Sequence, residues 1–308
     1  MGQTRYSHFE LNKISSAQNQ KTKTCEMNMP DIIHHYTDIN TLALILKNKM
    51  IRFNRLDHVD DITEGQSFQV LKLGKFFFVS CWTYDHEESL PQWNMYTKDM
   101  AGVRITMPRK LFNYAPFALP KTIPHKALGS FPSPIPFEKI FGDKHFILPM
   151  FLDEKNFARA VEYPPDFAER KNQAIYIEKK PDGQPGEMGI KDPVGIAALK
   201  SPDWAFQKEY RFVLFIIPSP SLPKDDKFFL KFTEQIPDVA KTALYKGIAP
   251  TFDFFDVDIA QHAIDNIKVI TGPLCTEGDF IIVESLLRNF APKGILEKSR
   301  FSGTIRKR

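Results

Sequence analysis

Two runs leave this chain little freedom in how it folds. Lys75 to Trp82 reads KFFFVSCW, and Lys208 to Ile217 reads KEYRFVLFII. Neither shows the long polar–apolar alternation of a strand with one wet face, so both suit strands covered on both sides. The 27 Phe, against 9 Tyr and 3 Trp, supply the rings for such a core. With 43% hydrophobic and 25% charged residues, the rest of the composition is that of an ordinary globular protein.

A coarse pass places further elements. Asp31 to Thr37 is β-prone, Thr37-Asp38 can cap a helix, and Ile39, Leu42, Ala43 and Leu46 recur at helical spacing to about Asn48. Ile51-Arg52-Phe53 reads as a short strand and Asp60-Asp61 as a loop. Ser89 and Pro91 open a helix that carries Trp93 and Tyr96 on one face. Gly102 to Met107 is a strand. Prolines at 116, 120, 124, 132, 134 and 136 mark an irregular insertion, with short strands around 145–151, 158–163 and 174–178. Strands are expected near 228–232, 243–248 and 267–270, then a helix over 279–290. Residues 1–28 read as a flexible extension and 29–308 as one α+β domain, its Pro-rich insertion spanning about 111–200. The expected architecture is two packed, mostly antiparallel sheets with flanking helices.

Several function classes lose support. Gly74-Lys75 lacks the glycine spacing of a phosphate loop, and Gly183, Gly186 and Gly189 lack that of a dinucleotide fingerprint. Cys25, Cys81 and Cys275 are too far apart for zinc and odd in number, so neither a metal nor a disulfide framework is expected, and a cytoplasmic setting is. Cys81 reads as a buried, inert thiol. No apolar run approaches the length of about 20 residues that a membrane span needs. The net charge of +4 is too mild to diagnose nucleic-acid binding. Lys293, Lys298, Arg300, Arg306, Lys307 and Arg308 read as a solvated basic tail.

Three segments carry unusual chemistry: His35-Tyr36-Thr37, Ser80-Cys81-Trp82 with Trp93 and Tyr96, and Trp204 to Arg211. In the last, alternation puts Gln207, Glu209 and Arg211 on one face of a strand. A carboxylate and a guanidinium on a buried strand require partners, because unpaired buried charge is expensive. They either pair structurally or floor a cleft.

These segments resemble the bacterial domain-of-unknown-function 2971 family. The likeness runs over roughly 32–110 and 198–300, through His35-Tyr36-Thr37, Leu42 to Leu46, Ile51 to Leu56, Asp60 to Glu64, Ser80 to Thr83, Trp93 to Val103, Trp204 to Arg211 and Ile267 to Pro273. Within it, Asp61 and Glu64 keep an acidic pattern from which Asn and Pro are lost, and Gln207 replaces a Glu. The layout is more distantly similar to ADP-ribosyltransferases, which implies a split sheet around a cleft and NAD as substrate. On that resemblance His35 and Thr37 belong to the NAD site, with His35 on the adenosine-side ribose. Tyr36 or Tyr96 would stack on nicotinamide beside Trp93 and Arg211, while Glu209 would hold the nicotinamide ribose and Gln207 would orient the acceptor. The acceptor implied is nucleic acid or protein, in bacterial conflict or phage defence. The alternatives are a non-catalytic module binding nucleic acid or protein, and nucleotide hydrolysis through Glu64 or Asp61.

Overall fold

The computed structural model describes residues 30–65, 71–123, 131–179, 185–190 and 192–306; the expected extension over 1–28 lies outside them. In chain order the strands are β1 Ile32–Thr37, β2 Met50–Arg55, β3 Phe77–Thr83, β4 Val103–Pro108, β5 Ala115–Pro116, β6 Pro132–Ser133 and β7 His145–Ile147. They continue with β8 Ala158–Ala160, β9 Ile175–Lys179, β10 Pro185–Ile190, β11 Glu209–Pro218, β12 Phe254–Asp258, β13 Lys268–Thr271 and β14 Ile295–Lys298.

Ten of these strands join one mixed sheet in an α+β fold; β5 with β6 and β9 with β10 form two small ladders. The main order is β12-β2-β3-β1-β4-β13-β14, and β11 lies along β3 and also carries β7 and β8. Among the described strands only the β13–β14 ladder is parallel. The expectation of two packed sheets is corrected here. β11 is ten residues long, enough to pair with β3 over Glu209–Phe215, with β8 over Tyr210–Phe212 and with β7 over Ile216–Pro218. One long strand thus fuses what would otherwise be separate layers.

The two apolar runs behave as their composition demands. β3 and β11 are buried along almost their whole length. Tyr210, Phe212, Leu214 and Ile216 pack on one face with Phe53, Phe112 and Phe157; Val213, Phe215 and Ile217 pack on the other with Phe76, Phe77 and Val79. Each fully buried ring contributes about 1.5–3 kcal/mol in transfer from water.

One expectation about secondary structure changes. The strands expected near 228–232 and 243–248 are the ends of a single helix, Phe228–Lys246. Phe228, Phe232, Ile236, Ala240 and Ala243 repeat at spacings of four and three, and the later ones cover the Val213–Phe215 face. The Pro-rich insertion contributes to the main core through Phe112, Ile135, Ile147, Phe151 and Phe157. Of the basic C-terminal run, Lys293, Lys298 and Arg300 keep exposed side chains as expected, while Ser299 and the backbone beside it dock. Glu88 accepts from Ser299 Oγ (2.5 Å), Arg300 N (2.9 Å) and Trp93 Nε1 (3.0 Å). An acidic turn, Glu87-Glu88, answers the basic run. Among the described residues no helix is long and apolar enough to cross a membrane.

What positions the site is the treatment of β3's second edge. β11 occupies one edge from end to end, so β2 and β1 must share the other. β2 takes it at Phe78 and Val79, β1 at Thr83. Between those contacts Ser80, Cys81 and Trp82 meet neither strand, and the sheet opens. The helix Ile39–Asn48 connects the two lips, its N-terminus capped by Asp38, which accepts from Thr41 N at 2.7 Å.

Candidate functional site

The opening holds a cavity of about 560 Å³, within the range of small-molecule sites. β1 contributes His35 and Thr37, the connecting helix Leu44 and Asn48, and β2 Arg52 and Asn54. Tyr96 comes from the helix Leu90–Tyr96, and Gln207, Glu209 and Arg211 come from the start of β11.

His35 fills the break in the sheet. Its Nδ1 lies 2.9 Å from the Cys81 carbonyl, inside the stretch of β3 that neither lip pairs, and its ring tilts against Trp82 at 5.2 Å. A carbonyl partner requires Nδ1–H, which leaves Nε2 as an acceptor. Burial lowers the imidazole's pKa, and the hydrogen bond to Cys81 only partly opposes this, so the ring is neutral at pH 7.

The floor is a closed ionic network. Arg211, at 0% exposure, commits all five of its N–H groups. Nε and Nη2 reach Glu209 at 2.5 and 3.0 Å; Nη2 also reaches Glu64 at 3.1 Å; Nη1 bonds Glu64 and, at 2.8 Å, the Ala197 carbonyl. Lys200, at 3% exposure, donates to Glu209 (3.4 Å) and Gln207 Oε1 (2.8 Å) and forms an ion pair with Glu64 at 3.0 Å. Two carboxylates face these two cations, and a third buried cation, Lys171, lies beside them and donates to the Thr63 and Glu64 carbonyls. For Glu209, burial pushes the carboxyl pKa up, but Arg211 and Lys200 outweigh it and hold the group ionised. Cys81, opposite Arg211 in the ladder, has its thiol pushed well up by burial and by Glu209. It is a poor nucleophile there.

Gln207 links floor to wall. Its Oε1 is held by Lys200, so Nε2 donates to the Tyr96 hydroxyl, while Gln92 Nε2 caps the Gln207 carbonyl at 3.1 Å. Between Gln207 and Glu209, Lys208 adopts a left-handed φ of 42°. Its carbonyl accepts from Tyr84 N at 3.0 Å and Thr83 Oγ1 at 3.1 Å, anchoring the strained turn. Tyr96 stays protonated, its pKa raised by burial and then by the Asp60 carboxylate beside it.

The structure thus brings His35, Thr37, Tyr96, Gln207, Glu209 and Arg211 to one cavity. Tyr36 also borders it, yet its ring is buried edge-on to Trp93 at 4.8 Å, and its hydroxyl accepts from Ser89 N at 3.0 Å. Of the two candidate stacking tyrosines, Tyr96 is the one with ring surface at the cleft. Trp93 is placed elsewhere: it is fully buried with Tyr36 and Ile270 and does not border the cavity, a correction to its reading as a ligand-side residue. Its indole N–H is taken by Glu88, so it anchors the C-terminal segment. Glu64, singled out in sequence as an acidic residue near Asp61, is a network partner of Arg211 and not a cavity residue. Lys200 was not singled out in sequence, since it lies outside the three segments with unusual chemistry.

Comparison of the chain with protein-family models, with curated proteins and with solved structures finds no match in any of the three.

Behind β1, His34 faces the other way, its Nδ1 2.8 Å from Thr106 Oγ1 and its ring edge-on to His86. Burial, then the charges of Arg104, His86 and Lys268, lower its pKa to about 3. The unfolded chain therefore binds a proton below about pH 6.5 that the folded chain refuses. Stability is full above that value and falls as pH drops toward 3, by up to about 1.4 kcal/mol per pH unit for one such histidine. Urea midpoints measured from pH 7.5 to 5 are expected to decline accordingly, and His34→Gln is expected to flatten the slope.

Proposed function

We propose that the cleft binds NAD and that this chain is an ADP-ribosyltransferase-like enzyme, passing ADP-ribose to a nucleic-acid or protein acceptor in a bacterial conflict or defence setting. The observation that carries the reading is the parting of β1 and β2 along one edge of β3. It opens a cavity with a neutral histidine on one lip and an ionised carboxylate on its floor. The motif resemblance to the 2971 family, and through it to ADP-ribosyltransferases, supplies the choice of NAD.

The chemistry suits these side chains. Departure of nicotinamide builds positive charge on the ribose carbon, which the fixed Glu209 carboxylate offsets in the transition state. Tyr96 offers a ring face to a flat leaving group. Nδ1-protonated His35 offers an acceptor to a ribose hydroxyl. Gln207, held at both ends, presents a rigid edge toward an acceptor.

A second reading has one observation in its favour. Arg211 and Lys200 already occupy both oxygens of Glu209, which suits a non-catalytic module that binds a nucleotide and keeps it. The two readings part on one experiment: full-length protein is incubated with NAD, with and without nucleic-acid and protein acceptors, and free nicotinamide is followed by mass spectrometry. The enzyme reading expects release that falls at least tenfold in His35→Ala. Tight NAD binding by calorimetry without any release would establish the binding module instead.

A further inference from the structure

Transfer to an acceptor needs a group that removes the incoming nucleophile's proton, and Gln207 is an amide with no such capacity. The hydrogen bonds of the cleft lead past it. Lys200 Nζ donates to Gln207 Oε1 at 2.8 Å, and Gln207 Nε2 donates to the Tyr96 hydroxyl. Having accepted there, Tyr96 has one hydrogen left to place, and the Asp60 carboxylate lies against its hydroxyl.

Three carboxylates border the cavity: Asp60, Glu209 and Asp256. Glu209 is bound by Arg211 and Lys200; Asp256 is gripped by Arg52 through two bonds of 3.0 and 3.2 Å. Asp60 pairs with no cation among the described residues and is exposed to solvent at the rim of the same cavity as Tyr96. The other basic candidates are committed. His35 spends Nδ1 on Cys81 and, on this reading, Nε2 on a ribose hydroxyl of NAD, and His58 Nε2 is held by Arg55 at 3.1 Å.

On the NAD reading, we infer that Asp60 is the general base of the transfer step, acting on a neutral oxygen or nitrogen nucleophile that carries a proton. The nucleophile's lone pair forms the new bond to C1′ of the nicotinamide ribose. The C1′–nitrogen bond breaks, and its electron pair returns to the pyridine ring, which leaves as neutral nicotinamide. The nucleophile's proton passes to an Asp60 oxygen and then to bulk water. Charge and electrons balance with no further reactant. The chain Lys200–Gln207–Tyr96 ends beside the base, and Lys200 ties that chain to the same network that fixes Glu209.

The decisive comparison is Asp60→Asn, with the full chain and NAD and with water as nucleophile. Asn keeps the shape but takes no proton. Nicotinamide release is expected to fall about a hundredfold or more, with KM for NAD unchanged within about twofold, as expected when only a transition-state interaction is lost. Azide brings no proton and needs no base. Added azide is therefore expected to restore release in Asp60→Asn, giving the azido sugar, and to leave Glu209→Gln inactive. Release by Asp60→Asn within about threefold of wild type would overturn the assignment of the base while leaving the NAD reading intact. So would a slow variant that azide fails to rescue. A wild-type protein that releases no nicotinamide with any acceptor would remove both.

Discussion

Replacing Arg211 by Met is expected to destabilise the fold by about 3–5 kcal/mol, the usual consequence of removing one partner from a buried ion pair. Two buried carboxylates, Glu64 and Glu209, would be left to Lys200, with Lys171 beside Glu64. The guanidinium also ties together distant parts of the chain: the Ile62–Gly65 turn, the Ala197 carbonyl and the start of β11. Arg211→Lys is expected to rescue little, because one ammonium has three donors where five are used, and no planar fork. Chemical denaturation followed by circular dichroism reads both variants. An Arg211→Met midpoint within error of wild type would mean that water reaches the cluster and that its charges are solvated.

Glu209→Gln is expected to reduce nicotinamide release by about 10²–10³-fold, the scale on which a preorganised electrostatic group acts in a transition state. That variant alone is ambiguous, because it also unbalances the ion network. Glu64→Gln resolves the ambiguity. It removes the same charge from the same guanidinium but does not border the cavity. Both variants should lose similar stability, while only Glu209→Gln should lose the reaction when assayed well below its melting temperature. Equal activity losses would assign Glu209 a purely structural place and favour the binding module.

These two expectations also show what could be read from the sequence and what could not. The long buried strands were legible because Phe, Val and Ile runs flanked by Pro or Trp have few other ways to hide. So was the shared face of Gln207, Glu209 and Arg211, which follows from a period of two. The partners were not. Glu64 and Lys200 are 145 and 9 residues or more from the strand pair they serve, and nothing in a solvated-looking Thr-Glu-Gly or Leu-Lys-Ser announces burial. The Phe228–Lys246 helix was misread because Phe-Phe-Leu-Lys-Phe suits a strand locally; its helical repeat appears only once Ile236 and Ala240 are counted. Trp93 was misassigned for a related reason. Spacing put it on one helical face with Tyr96, yet a turn of the helix is wide enough for one ring to meet the cleft and the other the core.

The closed accounting at Arg211 has a consequence for how such a chain can diverge. With five donors meeting their acceptors and two carboxylates held by the cations around them, no single replacement at positions 64, 200, 209 or 211 leaves the set intact. A lineage that loses one member crosses a state with a bare charge in the interior, unless a second change accompanies it. The four positions should therefore be inherited as a unit, kept together or exchanged together for apolar side chains, even though they are scattered along the chain. If the proposed chemistry is right, only Glu209 is held by the reaction itself; the other three are held by their shared electrostatics.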